Sequence, residues 1–531
     1  MFTKITQTQL IVATVLFIAL FDNYTFYSKV LEVYPLSYEN FGFLLSLVVL
    51  LIALNTLVFT LLSSKYTSKA ILIFVVLVSS LSNYFMNSYH VVIDADMLRN
   101  AIQTNSDEAF DLVTPKQIFY FFFLGILPSL LIYKIPILYR DLKSELFSKA
   151  KYIFVSFIVI VLCFTLFNKN YTSFFREHKP LRYNVNPTYW IYAIGDYVSK
   201  TFASTPQKLQ EIGLDAKVDE PEQTYKELVI VVVGEAARAD HFSLNGYKRE
   251  TNPLLAQEDI INFSNIYSCG TSTAHSVPCM FSILTQDQYS YKKAKATQNI
   301  LDVLSHTDFI DILWRDNNSD SKGVALRVPY EDFKNEKNNP LCDTECRDEG
   351  MLIGLDSYIQ AHKGKDILIV LHQMGNHGPA YYKRYPKEFE KFTPTCTTKQ
   401  LEKCTQEEII NSYDNALLYT DHFLAKTINF LKQYDNTHET ALIYMSDHGE
   451  SLGENGLYLH GLPYFMAPDA QKHIGSFLWL GKEMQKEFPL ETLRQKQTKK
   501  YSQDNLFHTL LGLFEVETEL YEQKKDILHG K

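Results

Sequence analysis

The chain has 531 residues, a length that predicts two or three domains, and hydrophobic residues make up 46% of it. Its formal net charge is −9 and it contains no block of lysine and arginine, which argues against nucleic acid as a partner. The first third is strongly apolar, whereas the remainder has the composition of a soluble globular protein. We therefore predict a membrane part followed by a soluble part.

Five separate apolar runs occur before residue 170. They lie near Leu10–Tyr27, Phe43–Leu62, Ala70–Tyr89, Ile118–Tyr133 and Tyr152–Phe167. Their lengths cluster around the ~20 residues that a helix needs to cross the hydrocarbon layer. No cleavage site of small residues follows the first run, so we interpret it as an uncleaved anchor. The pattern predicts a domain of five transmembrane helices over residues 1–170.

Loop charge gives the orientation of these helices. The loops after the second and fourth runs carry most of the basic residues: Lys65, Lys69, Lys134, Arg140, Lys143, Lys149 and Lys151. Because basic loops stay in the cytoplasm, these two loops and the N-terminus are predicted to lie inside. Five crossings then place everything after about residue 170 on the outer side.

Six of the seven cysteines lie after residue 260 in close pairs, while Cys163 lies in an apolar run. The pairs are Cys269 with Cys279, Cys342 with Cys346, and Cys396 with Cys404. An even set in a soluble region indicates disulfides in an oxidising compartment, with metal binding as the alternative. Pairing between neighbours is a hypothesis, because spacing alone leaves many pairings open.

A polar segment, DADMLRNAIQTNSDEAFDLVTP, separates the third and fourth runs and is predicted to form an amphipathic helix near 95–112. Asn100, Thr104 and Glu108 recur every fourth residue, which places them on one helical face. Such a face could hold a cationic lipid headgroup. The alternative is a solvated helix face, which the pattern alone favours.

Residues 171–220 are predicted to form an interfacial helix and linker, and residues 221–531 a soluble catalytic domain. Three apolar strands there end in polar clusters, in ELVIVVVGE, ILIVLHQMGNHG and TALIYMSDHGE. Near-continuous apolar strands separated by helices predict a parallel sheet covered on both faces. Glu235, His377, Asp447 and His448 follow these strands, where α/β sheets carry their chemistry.

A loop of hydroxyl residues, SCGTSTAHSVPCMFS, precedes a helix-compatible segment. A hydroxyl at a helix N-terminus lies where anions are favoured, so one of Thr271, Ser272 and Thr273 is a candidate nucleophile for a phosphate. Glu235, Asp447 and His448, with Thr273 as a fourth ligand, would form a site suited to zinc, with manganese as a second choice. The alternative is a loop with a structural bridge, beside strand-end side chains that only cap helices.

Six segments together are similar to the motifs of the lipid A phosphoethanolamine transferases, a bacterial family that includes the mobile colistin-resistance enzymes. They are GEAARADHFSLNGYKRETNP, SCGTSTAHSVPCMFS, WRDNNSDSKG, GNHGP, NSYDNALLYTD and SDHGESLGENGLYLHG. The resemblance covers nearly the whole chain. It implies an inner-membrane protein of five helices with an alkaline-phosphatase/sulfatase-like domain in the periplasm, and we expect a monomer.

The resemblance also implies roles for particular residues. Zinc would be bound by Glu235, Thr273, Asp447 and His448, with Thr273 as the nucleophile. Asn318, Lys322, His377 and His460 would surround the phosphoethanolamine group; the two histidines would act as proton donor or acceptor or, alternatively, hold a second zinc. Asn100, Thr104 and Glu108 would bind the lipid headgroup, and neighbouring cysteines would pair.

The reaction implied is transfer of phosphoethanolamine from phosphatidylethanolamine to lipid A or lipopolysaccharide, through a phosphoethanolamine-threonine intermediate, with release of diacylglycerol. Polymyxin resistance would follow. Alternatives are the same chemistry on a core sugar or periplasmic glucan, a phosphodiesterase or sulfatase of the same fold, and a lipoteichoic acid polymerase. A non-catalytic receptor is disfavoured because no proposed ligand is missing. The role of His275 is left open.

Overall fold

A computed structural model describes residues 3–104, 106–202, 208–218 and 225–529, without the side chains of residues 106–108, 176, 200 and 202. The chain divides into two compact units. The helical unit comprises Met1–Leu98 and Val113–Val198, and the sheet unit comprises Arg99–Leu112 and Ser199–Lys531.

Long apolar helices form the helical unit. Four stretches are long and apolar enough to cross a membrane: Tyr38–Leu62, Ser68–Tyr89, Pro115–Lys134 and Leu142–Leu166. The helices Gln7–Phe21 and Tyr24–Val33 bend by 56° at their junction and make a fifth stretch if they are one span. The five stretches coincide with the five apolar runs of the sequence.

Shorter elements complete the helical unit. The stretch Pro115–Lys134 consists of helices Pro115–Tyr120 and Leu127–Lys134 with a π-helical segment, Phe121–Ile126, between them. Two short strands, Ile5–Thr6 and Ile137–Leu138, pair in parallel. The helices Asn168–Arg176, Lys179–Asn184 and Thr188–Phe202 follow the last long helix.

The amphipathic segment near 95–112 differs from the single helix predicted. It forms two helices, Ala95–Gln103 and Ser106–Leu112. The Thr104 hydroxyl donates to the Asn100 carbonyl oxygen at 2.7 Å, a local bond of the kind that bends and slightly destabilises helices. Glu108 therefore does not share one continuous helix with Asn100 and Thr104, and their spacing by four residues no longer places the three on one helical face.

A seven-stranded sheet is the centre of the sheet unit. Its strands in chain order are β1 (Lys226–Gly234), β2 (Ile260–Asn262), β3 (Ile310–Asp316), β4 (Tyr330–Asp332), β5 (Asp366–His372), β6 (His438–Ser446) and β7 (Ser476–Leu480). The spatial order is β2-β7-β6-β1-β5-β3-β4. Neighbours from β6 to β4 are parallel, whereas β7 is antiparallel to both β6 and β2.

Hydrophobic cores cover both faces of this sheet, which explains why β1 is apolar throughout. Leu228, Ile230 and Val232 belong to the core that includes the long helix Gln406–Lys432. The alternate residues of β1 belong to the opposite core, which includes the helix Thr273–Met280.

Register brings the strand ends to one edge. Ser446 of β6 pairs with Gly234 of β1, Val233 with His372 of β5, and His372 with Asp316 of β3. The residues that follow these strands therefore converge at this edge.

The remaining elements surround the sheet. Other helices of four or more residues are Tyr291–Lys295, Ile300–Ser305, Asp348–Leu352, Leu355–His362, Met484–Glu487, Leu490–Arg494 and Leu506–Leu513. Short strands are Lys217–Val218, Ile266–Tyr267, Ser451–Leu452, Tyr458–Leu459, His473–Ile474, Tyr501–Ser502 and Val516–Glu517.

Candidate metal and nucleophile site

Thr273 is the first residue of the helix Thr273–Met280 and follows Ser272 in extended conformation. Its side-chain hydroxyl lies 3.1 Å from Glu235 Oε2 and 3.3 Å from His448 Nε2. The free backbone N–H groups of this helix end favour a negative charge beside the hydroxyl. The position suits a nucleophile that attacks a phosphate.

Two carboxylates and one imidazole surround that hydroxyl. His448 Nε2 lies 3.4 Å from Glu235 Oε1 and 3.3 Å from Asp447 Oδ2. All three side chains are buried, and neither of these two carboxylate oxygens has a hydrogen-bond partner among the described residues. Buried charged oxygens without donors are costly unless a cation satisfies them. The cluster therefore fits a divalent metal ion.

The protonation state of His448 also suits metal binding. His448 Nδ1 lies 2.8 Å from the carbonyl oxygen of Gly449, which can only accept a hydrogen bond, so Nδ1 carries the proton. Nε2 is then the nitrogen with a free electron pair towards the carboxylates. This is the arrangement of a zinc-bound histidine.

Electrostatics of the cluster agree with this fit. Burial, and then the charge of Asp447, raise the pKa of Glu235 to about 8. Burial opposes the charged form of His448, but the charges of Asp447 and Glu235 outweigh it and raise the pKa of that imidazole. A bound cation relieves the same repulsion between the carboxylates.

Asn318 and Lys322 lie in the loop after β3. Asn318 Nδ2 donates to Glu235 Oε2 and to the Gln373 carbonyl oxygen, each at 2.9 Å. Asn318 therefore lies in the cluster itself, where it orients a predicted ligand. Lys322 Nζ donates to the carbonyl oxygen of Ser319 at 2.6 Å and to that of Gln103 at 3.3 Å.

His460 lies beside the cluster, and His377 lies near His460. The rings of His460 and His448 are 4.1 Å apart between centroids, whereas those of His460 and His377 are 6.0 Å apart. One ligand atom each from Glu235, His448 and His460 lie within 4.8 Å of one another. His460 can therefore reach a group bound at the metal site.

Sequence reasoning gave no role to Glu450, three residues after Asp447. Its carboxylate oxygens lie 2.7 Å from His460 Nδ1 and from the hydroxyl of Tyr381, and burial raises its pKa to about 8. Glu450 fixes the orientation of the His460 ring. Its position in the polar cluster that follows β6 is the sequence feature that could have indicated a role in the site.

A second residue missed is Asp316, the last residue of β3. One oxygen lies 2.9 Å from His372 Nδ1 and accepts from the Trp314 indole at 2.9 Å. The other accepts the backbone N–H of Asn318 at 2.9 Å. Asp316 thus shapes the loop that carries Asn318, and its position at a strand end could have indicated it.

The predicted headgroup residues are only partly described. Asn100 lies in the helix Ala95–Gln103 and Thr104 directly follows it. The Thr104 hydroxyl donates a hydrogen bond to the backbone carbonyl oxygen of Asn100. The Glu108 side chain lies outside the described residues. A shared binding face for the three remains a prediction.

Three disulfides join the six paired cysteines: Cys269 with Cys279, Cys342 with Cys346, and Cys396 with Cys404. The first bridge closes the loop that carries Thr273, with 6.2 Å between its Cα atoms. Cys163 is free and buried.

Comparison with known proteins places this geometry in a family context. Residues 227–516 match the Sulfatase family, and residues 51–202 match the family described as Phosphoethanolamine transferase EptA/EptB. These matches confirm the predicted combination of a membrane helical part and a sulfatase-like part.

Individual relatives cover almost the whole chain. Phosphatidylethanolamine transferase Mcr-2 of Escherichia coli is 44% identical over 512 residues, which is 94% of each chain. Phosphoethanolamine transferase EptA of E. coli strain K12 is 42% identical over 96% of this chain and 94% of its own. The structure matches integral membrane lipooligosaccharide phosphoethanolamine transferase A of Neisseria meningitidis with a TM-score of 0.95, 34% identity and 99% coverage of both.

Proposed function

The chain belongs to the lipid A phosphoethanolamine transferase family, and from that membership we propose its reaction. It transfers phosphoethanolamine from phosphatidylethanolamine to lipid A, through a covalent intermediate on Thr273. The observation that carries the proposal is the buried Thr273 hydroxyl at a helix N-terminus, 3.1 Å from a carboxylate oxygen of Glu235.

The metal proposed for the site is zinc, held by Glu235, Thr273, Asp447 and His448. When bound, it would lower the pKa of the Thr273 hydroxyl and offset the negative charge on the phosphoryl oxygens. Mixed oxygen and nitrogen donors of this kind suit zinc. The two histidines outside this set, His377 and His460, are assigned to the substrate rather than to a second ion.

The first half of the reaction forms the intermediate. Thr273 Oγ1 attacks the phosphorus of phosphatidylethanolamine, its proton passing to the carboxylate of Glu235 with which it is hydrogen-bonded. The new Oγ1–phosphorus bond forms as the bond to the diacylglycerol oxygen breaks. Lys322 and Asn318 supply donors where negative charge accumulates on the phosphoryl group. Diacylglycerol leaves after accepting a proton.

His460 is the proton donor that the geometry favours. Its Nδ1 is bound to Glu450 at 2.7 Å, which orients the ring, and the ring centroid lies 4.1 Å from that of His448, beside the cluster. An imidazole suits this role near neutral pH. His377, whose ring centroid lies 6.0 Å from that of His460, would contact the same phosphoethanolamine group.

The second half returns the enzyme to its starting state. An oxygen of a lipid A phosphate attacks the phosphorus of the intermediate, and the bond to Thr273 Oγ1 breaks as the hydroxyl regains a proton. Two successive substrates and one covalent intermediate predict ping-pong kinetics. The added amine reduces the negative charge of lipid A, which weakens its attraction for cationic peptides such as polymyxins.

The setting of this reaction is the bacterial inner membrane, because donor and acceptor are both lipids. The catalytic domain is assigned to the periplasm, where the three disulfides would persist. Asn100, Thr104 and Glu108 are assigned to the donor headgroup, and the working form is proposed to be a monomer.

The decisive experiment compares lipid A mass spectra of Gram-negative cells that express the wild-type chain, Thr273→Ala or Thr271→Ala. Thr271 is the matched control, because its hydroxyl donates to the Leu462 backbone oxygen at 2.6 Å and lies outside the cluster. We expect a phosphoethanolamine addition with the wild type and the control. Loss of the nucleophile should lower transfer at least ~1,000-fold in Thr273→Ala.

Other outcomes are equally informative. Diacylglycerol release without modified lipid A would move the acceptor to a core sugar or a periplasmic glucan. Transfer that persists in Thr273→Ala would remove Thr273 as the nucleophile. Loss in both variants would show that the substitutions act through the fold of the loop.

A further inference from the structure

A basic pocket lies in the helical unit, far along the sequence from the residues assigned to catalysis. It has a volume of about 580 Å³ and is lined mainly by polar side chains. We define it by Thr6, Thr8, Arg140, Lys143, Ser148 and Lys151. It lies between the start of the first apolar helix and the start of the last.

Positive charge dominates this pocket. Arg140, Lys143 and Lys151 line it, and no carboxylate is among its described lining residues. Within the part of the chain that the structure describes, none of these three cations forms an ion pair. Asp141 and Glu145 lie nearby in sequence but do not line the pocket; Asp141 caps the helix by accepting the backbone N–H of Ser144 at 3.1 Å.

Hydroxyl groups also line the pocket, and each can both donate and accept a hydrogen bond. Thr8 is buried, and its hydroxyl lies 3.3 Å from that of Thr6 and 3.4 Å from that of Ser148. Both distances are longer than an ordinary hydrogen bond between hydroxyls, which is about 2.7 Å. The Thr6 hydroxyl is already engaged, because it accepts the Gln9 backbone N–H and caps the helix Gln7–Phe21. The hydroxyls of Thr8 and Ser148 can turn to donate to oxygens of a bound anion.

The pocket borders an apolar surface. Lys143, Phe147 and Lys151 are spaced by four residues and share one face of the helix Leu142–Leu166. Phe147 also lines the pocket and is 76% exposed, like Leu142 in the first turn of this helix. Since this helix qualifies as a membrane span, the surface beside the cations is one that acyl chains would cover.

From this combination we propose that the basic pocket binds the phosphodiester headgroup of an anionic phospholipid, such as phosphatidylglycerol. Arg140 and the two lysines pair with the phosphate, and the hydroxyls of Thr8 and Ser148 donate to its oxygens. The exposed Phe147 contacts the acyl chains. A free phosphate would satisfy the cations but leave the apolar border without an occupant.

The inference goes beyond the orientation rule for basic loops. That rule accounts for lysine and arginine in this loop, but it requires neither a cavity nor buried hydroxyls. It is also independent of the proposed transfer reaction, because none of the pocket residues belongs to the sheet unit.

The test is lipid retention by the purified full-length protein in detergent, titrated with phosphatidylglycerol and followed by native mass spectrometry. The pocket variant is Arg140→Gln/Lys143→Gln/Lys151→Gln. The matched control, Lys65→Gln/Lys69→Gln/Lys134→Gln, removes the same charge from basic-loop positions outside the pocket. Phosphatidylcholine and inorganic phosphate serve as competitor ligands, and the melting temperature of each variant reports that the fold is intact.

We expect the wild type and the control to retain phosphatidylglycerol in preference to phosphatidylcholine. The pocket variant should bind it more weakly by on the order of 10-fold to 100-fold, since each cation near an anionic lipid contributes severalfold. Equal loss in the control would reduce the effect to diffuse surface charge and overturn the proposal. Displacement of the lipid by inorganic phosphate at equal concentration would assign the pocket to a free anion and overturn it as well.

Discussion

At the scale of single residues, the two carboxylate oxygens of Asp447 have different roles in the cluster. Asp447 Oδ1 accepts the backbone N–H groups of Ala236 and His448 at 3.1 and 2.7 Å, while Oδ2 lies towards His448 Nε2. Asp447→Asn keeps one oxygen for the backbone but loses the charge. We expect it to fold and to retain much less zinc, because metal affinity depends on ligand charge.

Zinc content measured by mass spectrometry after dialysis against a chelator checks this prediction. Asp469→Asn is the control, since its side chain is 73% exposed and lies outside the cluster. Chelation should lower the melting temperature of the wild type and the control but not that of Asp447→Asn. Zinc retention by Asp447→Asn equal to that of the wild type would exclude Asp447 as a ligand.

A residue far from the cluster gives a pH-dependent prediction. Hydrogen bonding to His422, and then the ammonium of Lys426, outweigh burial and lower the pKa of Glu349 from 4.5 to about 2. A lowered pKa stabilises the folded state above pH 4.5, and this contribution is lost as pH falls from 4.5 towards 2. Because Glu349 is partly exposed, we expect Glu349→Gln to lower the free energy of unfolding by only about 1 kcal/mol near neutral pH.

Urea denaturation of the wild type and Glu349→Gln at a series of pH values checks the direction in which this stability contribution changes with pH. The difference between wild type and Glu349→Gln should shrink as pH falls below 4.5, and Glu388→Gln at an exposed site should show no such difference. A difference that grows on acidification would contradict the assigned direction of the pKa shift.

At the scale of elements, the helix Ser106–Leu112 is held within the sheet unit by ion pairs to the segment around Arg384. Asp111 pairs with Lys383 at 2.5 Å and with Arg384 at 3.5 Å. The Arg384 side chain is buried, and its Nε donates to the His377 carbonyl oxygen at 2.6 Å. The position of this helix is therefore linked, through Arg384, to the loop that carries His377.

We predict that Asp111→Asn lowers kcat about 10-fold with a smaller effect on KM, because a small displacement of His377 acts on the chemical step. Asp111→Glu retains the charge and should recover most of the activity. Steady-state kinetics on both variants, with melting temperatures as the fold control, separate positioning from stability. Equal kcat in Asp111→Asn and wild type would show that the ion pairs only hold the helix in place.

The sequence predicted the strands of the sheet better than it predicted the helix boundaries and the contacts between distant residues. The apolar strands and the polar residues directly after them were predictable, because both faces of β1, β5 and β6 are buried and parallel strands end at one edge. The interruption between Ala95–Gln103 and Ser106–Leu112 was missed, since residues spaced by four in sequence need not lie in one helix. The links from Asp111 to Arg384 join residues far apart in the chain, and no local pattern reveals such pairings.

At the scale of the whole molecule, the orientation of the apolar helices decides where every loop lies. Leu36 follows the helix Tyr24–Val33 and is 73% exposed, while Lys65 lies between the helices Tyr38–Leu62 and Ser68–Tyr89. Loop charge assigns these two positions to opposite sides of the membrane, with Lys65 in the cytoplasm. Cys163 is buried, so a cysteine introduced at either position dominates the labelling of thiols.

We predict that a membrane-impermeant thiol reagent added to cells with a permeable outer membrane labels Leu36→Cys and not Lys65→Cys. Disrupting the inner membrane should expose Lys65→Cys to the same reagent, which controls for its accessibility. The reason is the positive-inside rule acting on the five proposed crossings, which would also direct the sheet unit and its disulfides to the periplasm. Labelling of Lys65→Cys in intact cells would reverse the orientation and place the disulfide-bonded unit in the reducing cytoplasm, where disulfides rarely persist.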